Sequence, residues 1–248
     1  MSLKSKNILP LGGIILYLVI FFLNFHLGLK NFIIIFSSLI FIVGLIDDIF
    51  VLKAKEKLFG QIIAILPFIF YQNFDKSVSV LIFQTILILY IFLFLVNAAN
   101  LIDGGDGILG MLTLISLIVL NFKFENYNIE IYILALFLIT LLNLPNAKIY
   151  FGDSGAMFLG SILVFIGLDI FKNNIIGVLF YPFLVFPIPS IDLVYSIFRR
   201  LKKNRNIFER DELHIHHLIF RSFESKWFTL LVLCIIHLIL LIPFMLMF

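Results

Sequence analysis

The chain alternates long apolar stretches with short polar clusters. Nine apolar stretches stand out, at about 11–28, 32–46, 60–72, 78–96, 107–121, 130–144, 155–171, 174–198 and 227–246. A helix that crosses a bilayer needs about 20 mostly apolar residues, fewer where the bundle is thin or the helix end is wet. The pattern therefore predicts an all-α fold, a polytopic transmembrane helical bundle of about nine spans. The eighth stretch contains Pro182, Pro187 and Pro189. Each proline removes a backbone donor and clashes with the preceding turn, so this helix should kink or break into two fragments. No internal repeat, low-complexity linker or soluble domain interrupts the pattern, and residues 1–248 read as a single membrane-embedded domain.

Composition excludes the soluble alternative. The chain is 62% hydrophobic and only 13% charged, against about 25% charged in an average soluble domain. A soluble fold of this size could not hide so much apolar surface from water. Lys4 and Lys6 precede the first stretch much as in a signal peptide, but the run is too long and no small-residue cleavage site follows, so a retained helix is expected. The single cysteine, Cys234, excludes disulfides within the chain and thiolate metal clusters, and reads as a small buried apolar residue.

Charge placement then predicts orientation. Of the 18 Lys and Arg residues, fourteen fall on one side of a nine-span arrangement, in Lys4 and Lys6, Lys53 to Lys57, Lys148, and the segment from Arg199 to Lys226. The other side holds Lys30, Lys76, Lys123 and Lys172. The positive-inside rule places the N-terminus in the cytoplasm and the C-terminus outside.

The carboxylates are the informative residues, because an Asp near the centre of a spanning helix costs about 2.5–3.5 kcal/mol on insertion scales. Here they sit at span ends on the lysine-rich side: Asp47 and Asp48, then Asn100, Asp103 and Asp106, then Asp153, then Asp211. One face of the membrane thus receives acids from segments far apart in sequence, where a cation could neutralise them. Within Asn97-Ala-Ala-Asn100-Leu-Ile-Asp103-Gly-Gly-Asp106-Gly, a regular helix would turn Asn97 and Asp106 to opposite faces, nine steps making about 900°. Gly104, Gly105 and Gly107 let the chain loosen into a turn in which the polar side chains converge on a ligand; the plainer reading is a solvated loop. In Asp47-Asp48, one carboxylate can address a ligand while the other braces it or caps the next helix. Lys57 and Gln61 either face a phosphate or, for the lysine, snorkel to the interface.

Two further clusters carry chemistry. In Lys148-Ile-Tyr150-Phe151-Gly152-Asp153-Ser154-Gly155, Asp153 reads either as an ordinary N-cap or as a functional carboxylate, and Tyr150 either as an interfacial aromatic or as a binding ring. The flanking glycines allow close backbone approach to a phosphate, which favours the functional reading. His214, His216 and His217 sit in the most basic loop, where so many cations suit phosphate better than zinc; the alternative is a solvated loop drawn to anionic lipid. His26 and His237 stand alone in apolar stretches and read as structural.

Together these segments resemble the polyprenyl-phosphate N-acetylhexosamine-1-phosphate transferases, the membrane family that starts the lipid carriers of O-antigen, teichoic acid and peptidoglycan. The resemblance rests on Asp47-Asp48 with Lys57 and Gln61, on Asn97-xx-Asn100-xx-Asp103-Gly-x-Asp106-Gly, on Gly152-Asp153-Ser154-Gly155, and on His214-Ile-His216-His217 with Asp211 three residues before. It covers residues from about 10 to 248, and the last loop looks like the branch that uses UDP-N-acetylhexosamines. It implies a Mg²⁺-dependent transfer of N-acetylhexosamine 1-phosphate from a UDP-sugar to undecaprenyl phosphate at the cytoplasmic face of the cell membrane, with membrane lipid around it, no nucleic-acid partner and a homodimer by analogy. By the same resemblance Asn100 and Asp153 hold Mg²⁺, Asp103 and Asp106 orient the uridine diphosphate, and Tyr150 stacks on uracil. Lys57, His214, His216 and His217 grip phosphates and sugar, and Asp47 and Asp48 position the lipid phosphate or assist its attack.

The sequence departs from the family at its front, where one more span and a longer basic loop usually precede the glycine pair seen here as Gly12-Gly13. That departure leaves a shortened, non-catalytic relative acting in membrane assembly as an alternative expectation. A transporter is the other, although transporters place polar groups near the bilayer midplane, where only Asp169 and Asp192 come close here.

Overall fold

A computed structural model describes residues 10–27, 32–73, 78–124, 129–144, 146–171, 174–207 and 213–247. Lys4, Lys6, Lys30, Lys76, Lys172, Arg210 and Asp211, which entered the orientation and motif arguments, lie outside the described residues. Among the described residues there are helices and turns and no strand. In chain order the helices are α1 (Gly12–His26), α2 (Phe32–Phe50), α3 (Ala54–Asn73), α4 (Val78–Ile102), α5 (Ile108–Lys123) and α6 (Ile129–Asn143). They continue with α7 (Gly152–Ile170), α8 (Ile175–Val185), α9 (Pro187–Lys202), α10 (Ile215–Phe223) and α11 (Lys226–Met247).

Each of the nine apolar stretches is helical, the eighth as the pair α8 and α9. Four helices, α2, the part of α4 from Val80, α7 and α11, are long and apolar enough to cross a membrane, and the bent pair α8 and α9 makes a fifth candidate. Helices α1, α5 and α6 are apolar but shorter. Helix α3 opens on Lys55, Glu56 and Lys57 and closes on Gln72 and Asn73, which shortens its apolar part.

The centre of the bundle is α7. Some 78% of its apolar window is buried, against 39% or less for the other three long helices, and it packs most extensively on α2 and α4. Small residues permit this closeness. A Cβ built on Gly13 would lie 2.4 Å from both the Gly155 nitrogen and the Phe151 carbonyl oxygen. One built on Gly44 would lie 2.5 Å from the Ser154 Cα. The first turn of α1 is stitched to the start of α7 by Gly12 N–H donating to the Tyr150 carbonyl at 2.7 Å and Gly13 N–H to the Phe151 carbonyl at 3.1 Å.

The expected break in the eighth stretch is present as a 96° bend between α8 and α9. In an unbroken helix the Val185 carbonyl would accept from residue 189, which is a proline without an N–H. Ser116 of α5 takes that orphaned carbonyl at 2.6 Å, and His237 of α11 meets the Ser116 hydroxyl at 3.0 Å. Buried and hydrogen-bonded, His237 has the structural place expected of it. A side chain of a neighbouring helix thus satisfies the carbonyl that Pro189 leaves open, as a lipid environment requires.

Two local expectations are corrected. The histidine segment, read as a loop, forms α10, because Ile215, Leu218, Ile219 and Phe223 give it an apolar face and His216 and Phe220, one turn apart, are both buried. The polar segment after the fourth stretch does not loosen at Asn97. Helix α4 continues to Ile102 and only residues 103–107 form the turn, so Asn97 and Asn100 share one face of a regular helix.

Candidate active site

The ends of α2 and α4, one side of α9 and the starts of α3, α7 and α10 surround a cavity of about 1360 Å³. Ten of the eleven residues to which the resemblance gives a role line it: Asp47, Asp48, Lys57, Asn100, Asp103, Tyr150, Asp153, His214, His216 and His217. The eleventh, Asp106, does not. Segments separated by more than 150 residues therefore meet at one end of the bundle.

At the cavity's polar heart stands the Lys57 ammonium. It pairs with Asp47 Oδ2 at 2.6 Å and with Asp153 Oδ1, and it lies 3.0 Å from the Asn100 side-chain oxygen once that amide is oriented to satisfy its neighbours. The Asn100 nitrogen then donates to Asp153 Oδ1 at 2.6 Å. An ammonium has three donors, and here three oxygens converge on it. Lys57 is only 14% exposed, so this is no freely snorkelling side chain.

The two adjacent aspartates divide their work. Asp47 accepts the Leu52 N–H at 2.7 Å across the turn out of α2 and turns its other oxygen to Lys57. That turn holds Val51, a β-branched residue, at φ 52°, a conformation that costs about 1–3 kcal/mol and persists only where its surroundings impose it. Asp48 caps α7 from a different helix, accepting the Asp153 N–H at 2.7 Å and the Ser154 N–H at 3.0 Å. Gly152 makes room for this with φ 68°, and a Cβ there would sit 2.8 Å from both Asp48 oxygens. Negative charge at a helix N-terminus is favourable. One carboxylate thus holds Lys57 and the other holds the backbone that presents Asp153.

Gln61 is not available to a phosphate. It is fully buried and forms a reciprocal amide pair with Asn97, at 2.9 and 3.3 Å, that ties α3 to α4. Asp106 is likewise turned from the cavity, because its position after the Gly104-Gly105 turn sends it to the far side. There it accepts from the Tyr150 hydroxyl at 2.8 Å, from Lys226 at 2.7 Å and from the Ala147 N–H at 3.3 Å. Its contact with the site runs through Tyr150, whose ring lines the cavity while its hydroxyl is anchored outside it. From the sequence Lys226 is expected only on the lysine-rich side and not beside Asp106, since a basic residue opening the last apolar run reads as interfacial.

His214, His216 and His217 form a ring cluster, with centroids of His214 and His216 at 5.7 Å and of His216 and His217 at 4.2 Å. His216 is completely buried beside Gly104, and neither of its ring nitrogens has a hydrogen-bond partner among the described residues. A Cβ on Gly104 would lie 2.2 Å from its Nε2. Burial, reinforced by the neighbouring His217 and His214, holds the His216 imidazole well below the ordinary histidine range, so at neutral pH it offers a neutral ring to the cavity. Because the unfolded chain then binds the proton more readily, the stability this ring contributes is complete above about pH 6.5 and is lost as pH falls from there towards its depressed folded value. We expect the thermal midpoint to drop on acidification from pH 7 to pH 5, and to drop less in His216→Gln; an identical pH dependence in the variant would refute this.

The donor set suits a hard divalent cation. Among the described residues no three His, Cys, Asp or Glu side chains are arranged to hold a metal by themselves. Mg²⁺ does not need that, being bound through one or two protein oxygens together with substrate phosphates. The oxygens of Asn100 and Asp153 already converge beside one positive charge, the Lys57 ammonium, and open on the cavity.

Residues 31–171 match the family described as glycosyl transferase family 4. The chain is 31% identical to the undecaprenyl-phosphate alpha-N-acetylglucosaminyl 1-phosphate transferase of Thermotoga maritima over 231 residues, 92% of this chain and 73% of that protein. It is also 31% identical to the phospho-N-acetylmuramoyl-pentapeptide-transferase of Dictyoglomus thermophilum, over 87% of this chain and 75% of that one. With the undecaprenyl-phosphate alpha-N-acetylglucosaminyl 1-phosphate transferase of Escherichia coli it shares 26% identity, over 90% and 68% respectively. Matched by the family over more than half its length and 31% identical to a relative covered across 73% of its own length, the chain belongs to glycosyl transferase family 4, among the polyprenyl-phosphate N-acetylhexosamine-1-phosphate transferases.

Proposed function

We propose that this protein transfers an N-acetylhexosamine 1-phosphate from a UDP-sugar to undecaprenyl phosphate, releasing UMP and starting a lipid-linked glycan. The observation that carries this reading is the convergence of Asp47, Asn100 and Asp153 on Lys57 inside one large cavity. At about 1360 Å³ that cavity exceeds the roughly 300–1,000 Å³ of a pocket for one small ligand, which suits a site that must hold a donor and an acceptor together. The relatives named above are transferases of N-acetylglucosaminyl 1-phosphate or of phospho-N-acetylmuramoyl-pentapeptide, so identity alone does not separate the two transferred groups. The histidine segment favours the UDP-N-acetylhexosamine.

In this reading an oxygen of the lipid phosphate attacks the phosphorus that bears the sugar, and the bond from that phosphorus to the bridging oxygen breaks, so that UMP leaves with the electron pair. A phosphate monoester has its second pKa near about 6 and is largely a dianion at neutral pH, so the attack needs little help from a base. Direct attack also fits the engagement of Asp47 and Asp48, which hold Lys57 and the start of α7 and are not poised as nucleophiles. With substrate bound, Lys57 exchanges one of its three oxygen partners for a phosphate oxygen and holds the two substrates in line. Asn100 and Asp153 would hold Mg²⁺, which supplies charge neutralisation at the diphosphate when bound. Asp103 and the Tyr150 ring bind the uridine end of the donor, and Asp106 fixes the tilt of that ring. The bundle crosses the membrane about nine times, with the N-terminus and the active site facing the cytoplasm and the C-terminus outside.

The decisive assay combines purified protein, Mg²⁺, undecaprenyl phosphate and a panel of UDP-N-acetylhexosamines, scored for UMP release; silence with every donor would remove the reading. Tyr150→Ala is expected to raise KM for the UDP-sugar about tenfold, since stacking on a base is worth about 1–3 kcal/mol. A change confined to the kinetics of the lipid substrate would contradict that role.

A further inference from the structure

Helix α9 has a use beyond supplying part of the cavity wall. Asp192, Ser196 and Arg199 stand four and three residues apart, on one helical face, and all three reach the segment from Leu213 to Ile215. Arg199 donates through Nη1 to the Leu213 carbonyl at 2.8 Å and through Nη2 to the Ser196 hydroxyl at 3.4 Å. That hydroxyl meets His214 Nδ1 at 3.2 Å. Asp192 accepts the Ile215 N–H through Oδ1 at 3.1 Å, capping α10 from another helix. Its Oδ2 makes no hydrogen bond among the described residues but faces His214 Nδ1 at 3.3 Å.

Asp192 and Ser196 are completely buried, and burying a carboxylate is costly unless it is compensated. The cap on α10 and the imidazole are the compensation. A carboxylate 3.3 Å from Nδ1 constrains how the ring is presented, as a carboxylate does behind a histidine ligand. The ring so held lines the cavity, stacked 7° from parallel with His216.

We propose that Asp192, Ser196 and Arg199 form a positioning stripe that docks the histidine segment on α9 and sets the orientation of His214 for the donor's diphosphate. This rests on the transferase reading above. None of the three touches substrate in this account; they act through His214 and the start of α10.

Two substitutions of one residue separate positioning from packing. Asp192→Asn keeps an oxygen for the Ile215 N–H but removes the charge beside His214, whereas Asp192→Leu removes both. With the full-length protein in lipid nanodiscs and Mg²⁺ present, UDP affinity is read by titration calorimetry and the protection of residues 213–217 by hydrogen exchange. Asp192→Asn should weaken UDP binding about tenfold, a change equivalent to about 1.4 kcal/mol, with protection at Ile215 close to wild type. Asp192→Leu should lose both. If Asp192→Asn binds UDP as tightly as wild type, the stripe is packing and the inference falls, whether or not the leucine variant folds. Wild-type protein that neither binds UDP nor releases UMP would sink the transferase reading and this inference together; wild-type protein that does both beside an unaffected Asp192→Asn would sink this inference alone.

Discussion

Asp153→Asn is expected to reduce UMP release at least about a hundredfold, the scale on which loss of a ligand or its support acts at a metal site. The substitution keeps the side chain's shape, and Asp48 will still hold the backbone N–H groups of residues 153 and 154. What disappears is the charge facing Lys57 and Asn100. Two consequences follow from one lost charge: the oxygen set beside Asn100 becomes a poor site for a divalent cation, and Lys57 keeps one carboxylate partner, Asp47, where it had two. The variant should fold with a thermal midpoint near that of wild type while turning over barely at all. Near-normal rates at saturating Mg²⁺ would show that Asp153 is not a ligand.

Gly13→Ala is expected to destabilise the bundle by about 3 kcal/mol or more, at the upper end of what overpacking does. The added methyl would fall 2.4 Å from two backbone atoms, the Gly155 nitrogen and the Phe151 oxygen, neither of which can rotate away. Relief requires α1 to move off α7, breaking the bonds from Gly12 and Gly13 to the Tyr150 and Phe151 carbonyls. Tyr150 and the first turn of α7, which carries Gly152 and Asp153, then lose their support, so activity should fall with stability. Gly60→Ala is the control, because there the added atom meets only the Val43 side chain, at 2.9 Å, which can shift. Equal thermal midpoints for the two variants in detergent would show that the α1 contact with α7 does not bear on stability.

The site was legible in the sequence to an unequal degree. Asn100, Asp153 and Lys57 drew attention as polar groups at the ends of apolar runs, but the sequence left Asp153 between an N-cap and a functional carboxylate and Lys57 between a phosphate contact and snorkelling, and it is their mutual contact that sets them together. Asp106 carried the same signal and has a different place, since a three-residue step within a glycine turn says nothing about which side of α4 the carboxylate leaves from. For Asp47 and Asp48 the sequence offered one carboxylate that addresses a ligand and another that braces it or caps the next helix; in the structure one holds Lys57 and the other caps α7, a helix far along the chain. The i, i+4, i+7 stripe of Asp192, Ser196 and Arg199 was written in the sequence, but its face acquired meaning only once the 96° bend had aimed α9 at the histidine segment.

Hydrophobic patterning alone determined that this protein is a bundle of apolar helices with its polar groups at their ends, and roughly where each helix lies. The reason is local: in lipid a chain must satisfy its backbone hydrogen bonds within each segment, so every apolar run becomes a helix whatever its neighbours are. Which ends share a cavity, which carboxylate takes Lys57 and which takes the amides of α7 were decided by tertiary structure. Those pairings depend on how closely Gly13, Gly44 and Gly155 let three helices approach, a distance that no single segment encodes.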